Sequence, residues 1–206
     1  MSKRKNRPYK RGEPFRDASL FVIACEGEKT ERAYFEQFCG GFRRVKVVVL
    51  PTGNDHKSAP NHVLKRADDF VDEFGIVGED DRVWLVIDMD RWKEATLSSI
   101  AKACEQKEKY TLILSNPCFE LWPYLHLEKP TQPLSELQNC NDFKAAIRAN
   151  LGAYNPSNPD FSPIFPMSEY AISQAEKLDT APADRFPNGT ATRVYVLVKR
   201  LLELKK

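Results

Sequence analysis

Acidic side chains directly follow two apolar segments of the chain. Glu26 comes after residues 19–25 (SLFVIAC), and Asp88 and Asp90 come after residues 82–87 (RVWLVI). Short, continuous apolar runs of this kind predict buried β-strands. Because ligands of open parallel sheets bind outside the carboxyl ends of the strands, the three carboxylates are candidates for one shared site if the two strands are neighbours.

Three carboxylates at one edge of a sheet need a cation or protons, since they repel each other and burial makes each charge costly. A hard divalent ion is the natural partner, and we expect Mg²⁺, with Mn²⁺ as a substitute. Such an ion polarises a phosphodiester, and Glu26 then acts as a ligand or as a general acid/base. The alternative is that Glu26, Asp88 and Asp90 are only strand-end solubility or capping residues.

A second polar motif follows the fourth predicted strand. Residues 115–117 (SNP) begin it, and Glu120 is a candidate fourth acid, either for a second metal ion or for orienting the ligands of the first. His126 is a candidate acid/base near neutral pH and a candidate contact to nucleic acid. The alternative for Glu120 is a pairing with a basic residue.

Basic residues flank both acidic motifs and predict phosphate contacts. Lys29 lies at the start of a predicted helix, where the helix N-terminus helps to bind phosphate; the alternative is a solvated lysine. Arg91 and Lys93 follow the D-x-D directly, and Trp92 between them either stacks on a base or packs on the body of the protein. The segment EGEKTE is not a phosphate-binding P-loop, because the glycines that this motif requires before the lysine are missing.

The elements that must position these residues alternate along the first 115 positions. Apolar strands alternate with amphipathic helices, which predicts a parallel sheet covered on both faces. We therefore predict an α/β fold with a three-layer α/β/α arrangement and a mostly parallel sheet of about four strands. The predicted strands are 19–25, 45–50, 82–87 and 110–114, and the predicted helices are 30–38, 63–74 and 98–108.

The remainder of the chain is predicted to be mainly helical. A Pro-rich irregular loop, 152–166, interrupts it. We expect three segments: a basic flexible arm at 1–17, an α/β core at 18–115 and a helical extension at 116–206 packed on the core. The predicted C-terminal helices are 117–126 (broken near Pro123), a helix capped by Asn141 and ending near 151, 167–178 and 192–204.

Composition limits the classes of protein to consider. The chain has 206 residues, of which 42% are hydrophobic, and no apolar run approaches the ~20 residues that span a bilayer. The polar N-terminus is not a secretory signal, and the five cysteines form no C-x-x-C pair, so neither a zinc site nor a disulfide framework is signalled. We expect Cys25 and Cys118 to be buried thiols in a reducing cytoplasm.

The charge is unevenly distributed along the chain. The formal net charge is only +2, yet residues 1–16 hold seven basic residues and one acidic residue. Such an arm is either a phosphate-contacting tail or a solvated terminus.

Four stretches together resemble the RloB family. They are VIACEGEKTERAYF, VIDMDRW, SNPCFELWPYLHL and GTATRVYVLVKRLL, and they extend over essentially the whole chain. The family pattern is a strand ending in C-E-G-x-x-T-E, then a D-x-D, then S-N-P-x-F-E-x-W with a following histidine. RloB-like proteins are similar to Toprim domains, in which a glutamate after the first strand and a D-x-D after the third bind Mg²⁺.

The resemblance implies a metal site and an activity. It assigns the Mg²⁺ ligands to Glu26, Asp88 and Asp90. It also implies an Mg²⁺-dependent endonuclease acting on DNA or RNA, with tRNA among the candidates, as an effector of bacterial antiphage and abortive-infection defence beside the ABC-type ATPase RloA. The alternative is a non-catalytic Toprim-like module that binds nucleic acid or regulates that ATPase.

Overall fold

A central β-sheet organises the computed structural model, which describes residues 18–41, 43–52, 59–152, 154–155 and 157–204. The basic arm predicted at the N-terminus lies outside these residues. The strands run in the order β2-β1-β3-β4-β5; the first four are parallel and β5 is antiparallel to β4. The described strands are β1 Ser19–Cys25, β2 Val45–Val49, β3 Arg82–Asp88, β4 Tyr110–Asn116 and β5 Ala191–Thr192.

Helices cover both faces of the sheet, as a parallel sheet requires. Helices α2 and α3 pack on one face and share a hydrophobic cluster with the side chains that β1 and β3 direct there. Helices α1 and α4 to α7 contribute to the cluster on the opposite face. The described helices are α1 Thr30–Glu36, α2 Pro60–Phe74, α3 Glu94–Glu105, α4 Leu121–Tyr124, α5 Cys140–Leu151, α6 Ser168–Leu178 and α7 Val194–Glu203. In the described part of the chain, none of them combines the length and apolarity needed to cross a membrane.

Tyr34 connects the N-terminal and C-terminal parts of the chain. It is fully buried in α1, and its ring meets the rings of Phe119, Trp122 and Phe161 edge-on at centroid distances of 5.7 to 6.0 Å. Its hydroxyl bonds to the His126 ring at 3.1 Å. Residues from both parts of the chain therefore form one hydrophobic cluster on this face of the sheet.

The α/β class and the mostly parallel sheet predicted from the sequence are confirmed. The predicted number of strands is one too few, because β5 extends the sheet beyond β4, where Ser115 Oγ and Thr192 Oγ1 are 2.7 Å apart. A two-residue strand is too short to show the alternation by which strands are recognised. The helix predicted at 192–204 therefore begins only at Val194.

The helix predicted at 117–126 is also shorter than expected. Only Leu121–Tyr124 is α-helical, and the preceding residues form a turn after β4. This turn brings Cys118, Phe119 and Glu120 close to the end of β3, where Asp90 N donates a hydrogen bond to Pro117 O at 3.1 Å. The turn is thus part of the wall around the strand ends.

The N-cap of α5 is Asn139, whereas Asn141 was predicted. The Asn139 side chain accepts hydrogen bonds from the backbone N–H groups of Asn141 and Asp142, and the Asp142 carboxylate accepts one from Asn139 N at 3.1 Å. This reciprocal capping box satisfies donors that the helix itself leaves open.

Replacing the cap residue tests this assignment. We expect Asn139→Ala to lower the free energy of unfolding by about 1 kcal/mol, because the first turn of α5 loses its side-chain acceptor. Urea denaturation measures this change. Asn141→Ala is the matched control and should stay within about 0.5 kcal/mol of wild type; a larger loss for Asn141→Ala than for Asn139→Ala would contradict the assignment.

Candidate functional site

The pairing of β1 with β3 brings the predicted acidic residues together. Cys25 lies beside Val86 in the parallel register, and Glu26 N continues the ladder by donating to Val86 O at 2.9 Å. Asp88 N then donates to Glu26 Oε2 at 3.3 Å. The strand adjacency on which the shared site depended is therefore present.

A cleft of about 240 Å³ opens at the carboxyl ends of these strands. The cleft is lined by residues that follow β1, β3 and β4 and by two residues of α5, Cys140 and Lys144. Its acidic lining residues are Glu26, Glu28, Glu31, Asp88, Asp90 and Glu120, and its basic lining residues are Lys29, Arg91 and Lys144. All four residues predicted to be catalytic lie in this one cleft.

Glu26 is held in place by its neighbours. It is only 5% exposed, and its Oε2 also accepts a hydrogen bond from Trp92 Nε1 at 2.9 Å. Burial raises the pKa of Glu26, and the hydrogen bonds from Trp92 and Asp88 N oppose that rise. Trp92 is half-buried and packs against the hydrophobic cluster under α2 and α3, so it positions Glu26 and packs on the body of the protein.

Asp88 is held by the backbone of the turn after β4. Its Oδ1 accepts a hydrogen bond from Phe119 N, in the turn after β4, at 2.8 Å. Burial raises the pKa of Asp88 well above its ordinary value, and the negative charges of Glu31, Glu120 and Glu26 add to the rise. The protein therefore holds several carboxylates close enough to disfavour each other's ionised form.

Glu31 is a central member of the site that the sequence argument did not select. It is 6% exposed, and its Oε1 accepts a hydrogen bond from Gly27 N at 2.8 Å. A side chain at Gly27 would collide with this carboxylate, so the glycine permits the close approach. Burial, with a further contribution from the charge of Glu120, raises the pKa of Glu31 to about 7. The sequence signal that could have selected Glu31 is an acidic residue in the first turn of the helix that follows Glu26 and Gly27.

Glu120 lies in the cleft and also pairs with a basic residue, so the predicted pairing is confirmed and the role at a metal site stays a prediction. It is 6% exposed, and its Oε1 is 3.5 Å from Lys144 Nζ. Burial raises the pKa of Glu120, and Lys144 opposes this rise. Lys144 was not predicted, because it reaches the cleft only through the packing of α5 beside α4.

The predicted phosphate-binding residues fall into three places. Lys29 and Arg91 are exposed and line the cleft, and Lys93 is exposed at the N-cap of α3, outside the lining. The expectation that His126 contacts nucleic acid is wrong, because this residue is 1% exposed. Its Nδ1 donates to Trp122 O at 2.9 Å, and burial lowers the pKa of His126 to about 4. His126 is therefore a neutral residue of the aromatic core.

The expectation of buried thiols holds for Cys25 and is wrong for Cys118. Cys118 and Cys140 form a disulfide, whereas Cys25, Cys39 and Cys104 are free. The two half-cystines are 22 positions apart and belong to different elements, so no local spacing signals their pairing. Cys140 Sγ also lies 3.1 Å from Asp90 Oδ2.

Oxygen atoms dominate the part of the cleft around Glu26. Among the described residues, hydrogen bonds engage Oε2 of Glu26 and Oδ1 of Asp88. The second oxygen of each carboxylate remains for another ligand, and Asp90 adds an exposed carboxylate beside them. Such a set of donors is the type that hard divalent cations prefer.

The raised pKa of Glu31 makes stability depend on pH. The pKa of Glu31 is about 7 in the folded chain and 4.5 ordinarily. Between pH 4.5 and pH 7, the folded chain therefore keeps a proton on Glu31 that the unfolded chain has lost. The free energy of unfolding should therefore fall as pH rises from about 4.5 to about 7 in metal-free buffer. Glu31→Gln removes this titration and should raise the free energy of unfolding at pH 8 by up to about 3 kcal/mol, at about 1.4 kcal/mol per pKa unit.

Urea denaturation at pH 5 and pH 8 in the presence of EDTA measures this effect. Glu36→Gln is the matched control, since Glu36 is exposed on the same helix and forms only a surface pair with Arg32. Equal pH dependence in wild type and Glu31→Gln would contradict the assignment of the titration to Glu31.

Comparison with known proteins gives a family match. The family model described as RloB-like protein matches residues 21–201, a range that contains every residue of the cleft. The search of curated proteins and the search of solved structures each give no match. Because the family model covers most of its length, the chain belongs to the RloB-like protein family.

Proposed function

We propose that this chain is an Mg²⁺-dependent nuclease whose metal ligands are Glu26, Asp88 and Asp90, with Mn²⁺ as a substitute. The observation that carries the proposal is the convergence of these carboxylates, from adjacent parallel strands, in one cleft with basic residues at its wall. The resemblance of the RloB family to Toprim domains, which bind Mg²⁺ through acids at these two strand ends, supports the same assignment.

The donor set fits the proposed ion. Mg²⁺ is usually bound by one or two carboxylates, with waters and phosphate oxygens completing its octahedron. The unengaged oxygens of Glu26 and Asp88 offer two such ligands, and Asp90 offers a third from the solvent side. When bound, the ion would polarise the scissile phosphodiester and offset the charge that develops on its oxygens.

The chain's own acids supply proton transfer in this proposal. Burial raises the pKa of Glu31 to about 7 in the metal-free chain, so this carboxyl keeps a proton more readily than an ordinary glutamate and is the candidate general acid/base. Its Oε1 is engaged by Gly27 N, which leaves Oε2 to hold or release a proton in the cleft. Glu120, paired with Lys144, orients the groups that would bind the metal in this proposal.

Basic residues at the cleft support the proposal of a nucleic-acid substrate. Lys29 and Arg91 are exposed beside the carboxylates, where each can contact a phosphate on either side of the scissile bond. These contacts do not depend on the base, which is compatible with DNA or RNA, tRNA included. Lys93, the exposed N-cap residue of α3, is a further candidate for a phosphate contact outside the cleft lining.

Family membership extends the proposal to a biological role. We include in it the role of effector in bacterial antiphage and abortive-infection defence, with an RloA-like ABC-type ATPase as partner. In this arrangement the ATPase restrains or releases the nuclease. Cleavage by the isolated chain and by the chain with its ATPase should then differ in rate.

A cleavage assay tests the activity. Wild-type protein is incubated with tRNA, total RNA and plasmid DNA in Mg²⁺, Mn²⁺ or EDTA. We expect cleavage only with a divalent ion, and Glu26→Gln and Asp88→Asn should lose more than the roughly 10- to 100-fold typical of changes outside the ligand sphere. Glu136→Gln, an exposed acid outside the cleft, is the matched control and should cleave like wild type.

Two results would count against the nuclease. Equal cleavage by wild type and Glu26→Gln would show that a contaminant or another site is responsible. Binding of nucleic acid without cleavage, with or without the ATPase, would favour the non-catalytic module.

The hydrogen bond from Trp92 to Glu26 gives a test that does not need activity. Trp92→Phe keeps the packing but removes the indole donor, so Mg²⁺ affinity should fall by about 10- to 100-fold. Thermal denaturation over a Mg²⁺ titration measures the affinity through the stabilisation that a bound ligand gives. Trp84→Phe is the control, because Trp84 Nε1 has no hydrogen-bond partner within the described ranges; equal affinities for the two variants would refute the positioning role.

A further inference from the structure

The cysteine pair lies in the wall of the cleft. Cys118 is fully buried in the turn after β4, and Cys140 is the first residue of α5 and lines the cleft. Their Cα atoms are 5.9 Å apart, and in this structure the sulfurs are joined as a disulfide. The pair is thus reachable from the cleft through Cys140.

A third potential metal ligand lies beside the two sulfurs. One carboxylate oxygen of Glu120 and the Sγ atoms of Cys118 and Cys140 all lie within 4.8 Å of one another. Asp90 Oδ2 is 3.1 Å from Cys140 Sγ, on the side of the cleft. Three candidate donor atoms, two sulfurs and one oxygen, therefore cluster, and the Asp90 carboxylate lies next to one of them, Cys140 Sγ.

This donor set differs in chemistry from the carboxylates around Glu26. Thiolates are soft ligands that select Zn²⁺ over Mg²⁺, and zinc favours four ligands in a tetrahedron. Zinc sites combine cysteine with carboxylate at bond lengths of about 2.0 to 2.3 Å, which fits donors that are already clustered.

The local charges also favour a divalent ion. Two thiolates and the carboxylates of Glu120 and Asp90 carry four negative charges, and Lys144, 3.5 Å from Glu120, supplies one positive charge. A bound Zn²⁺ supplies two more, so the net charge of the group changes from −3 to −1. Without the ion, the reduced pair must keep its protons or accept strong repulsion in a buried position.

We propose that the reduced chain binds one Zn²⁺ through Cys118, Cys140 and Glu120, with the Asp90 carboxylate as the fourth ligand. Reduction by a dithiol breaks the sulfur–sulfur bond and gives two thiols, while the reductant becomes a cyclic disulfide. Zinc then replaces the two thiol protons, which pass to solvent. The disulfide and the zinc complex exclude each other, because both use the same sulfur atoms.

Zinc at this position would inhibit the proposed nuclease. Glu120 and Asp90 line the carboxylate cleft, so zinc would take the Asp90 ligand from the Mg²⁺ site and Glu120 from its orienting position. This consequence rests on the proposed function, whereas zinc binding itself does not. The two are therefore tested by separate measurements.

Cobalt spectroscopy of the reduced, metal-free chain tests the binding. A phosphine reductant opens the disulfide, and Co²⁺ is then titrated in. We expect one equivalent to produce the sulfur-to-cobalt charge-transfer band and the visible bands of tetrahedral cobalt, and one equivalent of Zn²⁺ to abolish them. Cys140→Ser should lose most of the intensity of the charge-transfer band and of the visible bands, and it should weaken Zn²⁺ binding by at least about 10-fold.

Matched variants make the result decisive. Cys39→Ser, which removes an exposed free cysteine outside the cleft, should bind like wild type. Glu120→Gln should keep the charge-transfer band but bind Zn²⁺ more weakly. A reduced wild-type chain without tetrahedral cobalt bands, or a Cys140→Ser variant with bands of wild-type intensity, would overturn the proposal and leave the pair as a disulfide only.

The consequence for activity is read separately. If the chain cleaves nucleic acid with Mg²⁺, one equivalent of Zn²⁺ should abolish cleavage by the reduced wild type and leave cleavage by the disulfide-containing wild type unchanged, because the disulfide occupies both sulfur atoms. Absence of cleavage under every condition would refute the proposed function while the cobalt bands still establish the zinc site. Cleavage by the zinc-loaded wild type at an undiminished rate would overturn the inhibitory part.

Discussion

The parallel pairing of β1 with β3 is the contact on which the rest of the site depends. It places Glu26 against the backbone of Asp88 and brings the acids of two distant segments to one edge of the sheet. Because the carboxyl ends of parallel strands face the same way, the turn after β4 also reaches this edge and binds Asp88 through Phe119 N. A sheet with another strand order would have separated these carboxylates without changing any local element.

Bringing the acids together has an electrostatic cost that the surroundings only partly offset. Burial raises the pKa values of Glu26, Glu31, Asp88 and Glu120, and the neighbouring negative charges add to several of these rises. Backbone N–H groups, the Trp92 indole and Lys144 stabilise the ionised forms. The aromatic core around Tyr34 packs α1, which carries Glu31, against the turn after β4 and against α4. A bound cation would offset the remaining repulsion, as the proposed function requires.

Much of the fold was predictable because its signals are local. The apolar runs of β1 and β3 and the amphipathic pattern of α2 are each contained in one short, continuous segment. The acidic residues that follow the two strands are adjacent to them in sequence. Predictions failed where the deciding contact is remote. Strand β5 exists only through its pairing with β4, and His126 is in the core only because Tyr34 and Trp122 enclose it.

The sequence by itself determined the α/β class, the strand ends that carry Glu26, Asp88 and Asp90, and the membership of the RloB-like family, because periodicity and motif spacing are properties of neighbouring residues. Only the tertiary structure decided which other groups share the cleft. Glu31 enters it by the close approach of α1 at Gly27, and Lys144 and Cys140 enter it by the packing of α5. The contact of Glu31 with Gly27 spans only four positions. The contacts of α5 join segments far apart in the chain and are fixed by how helices fill the space above the sheet, which no local pattern encodes.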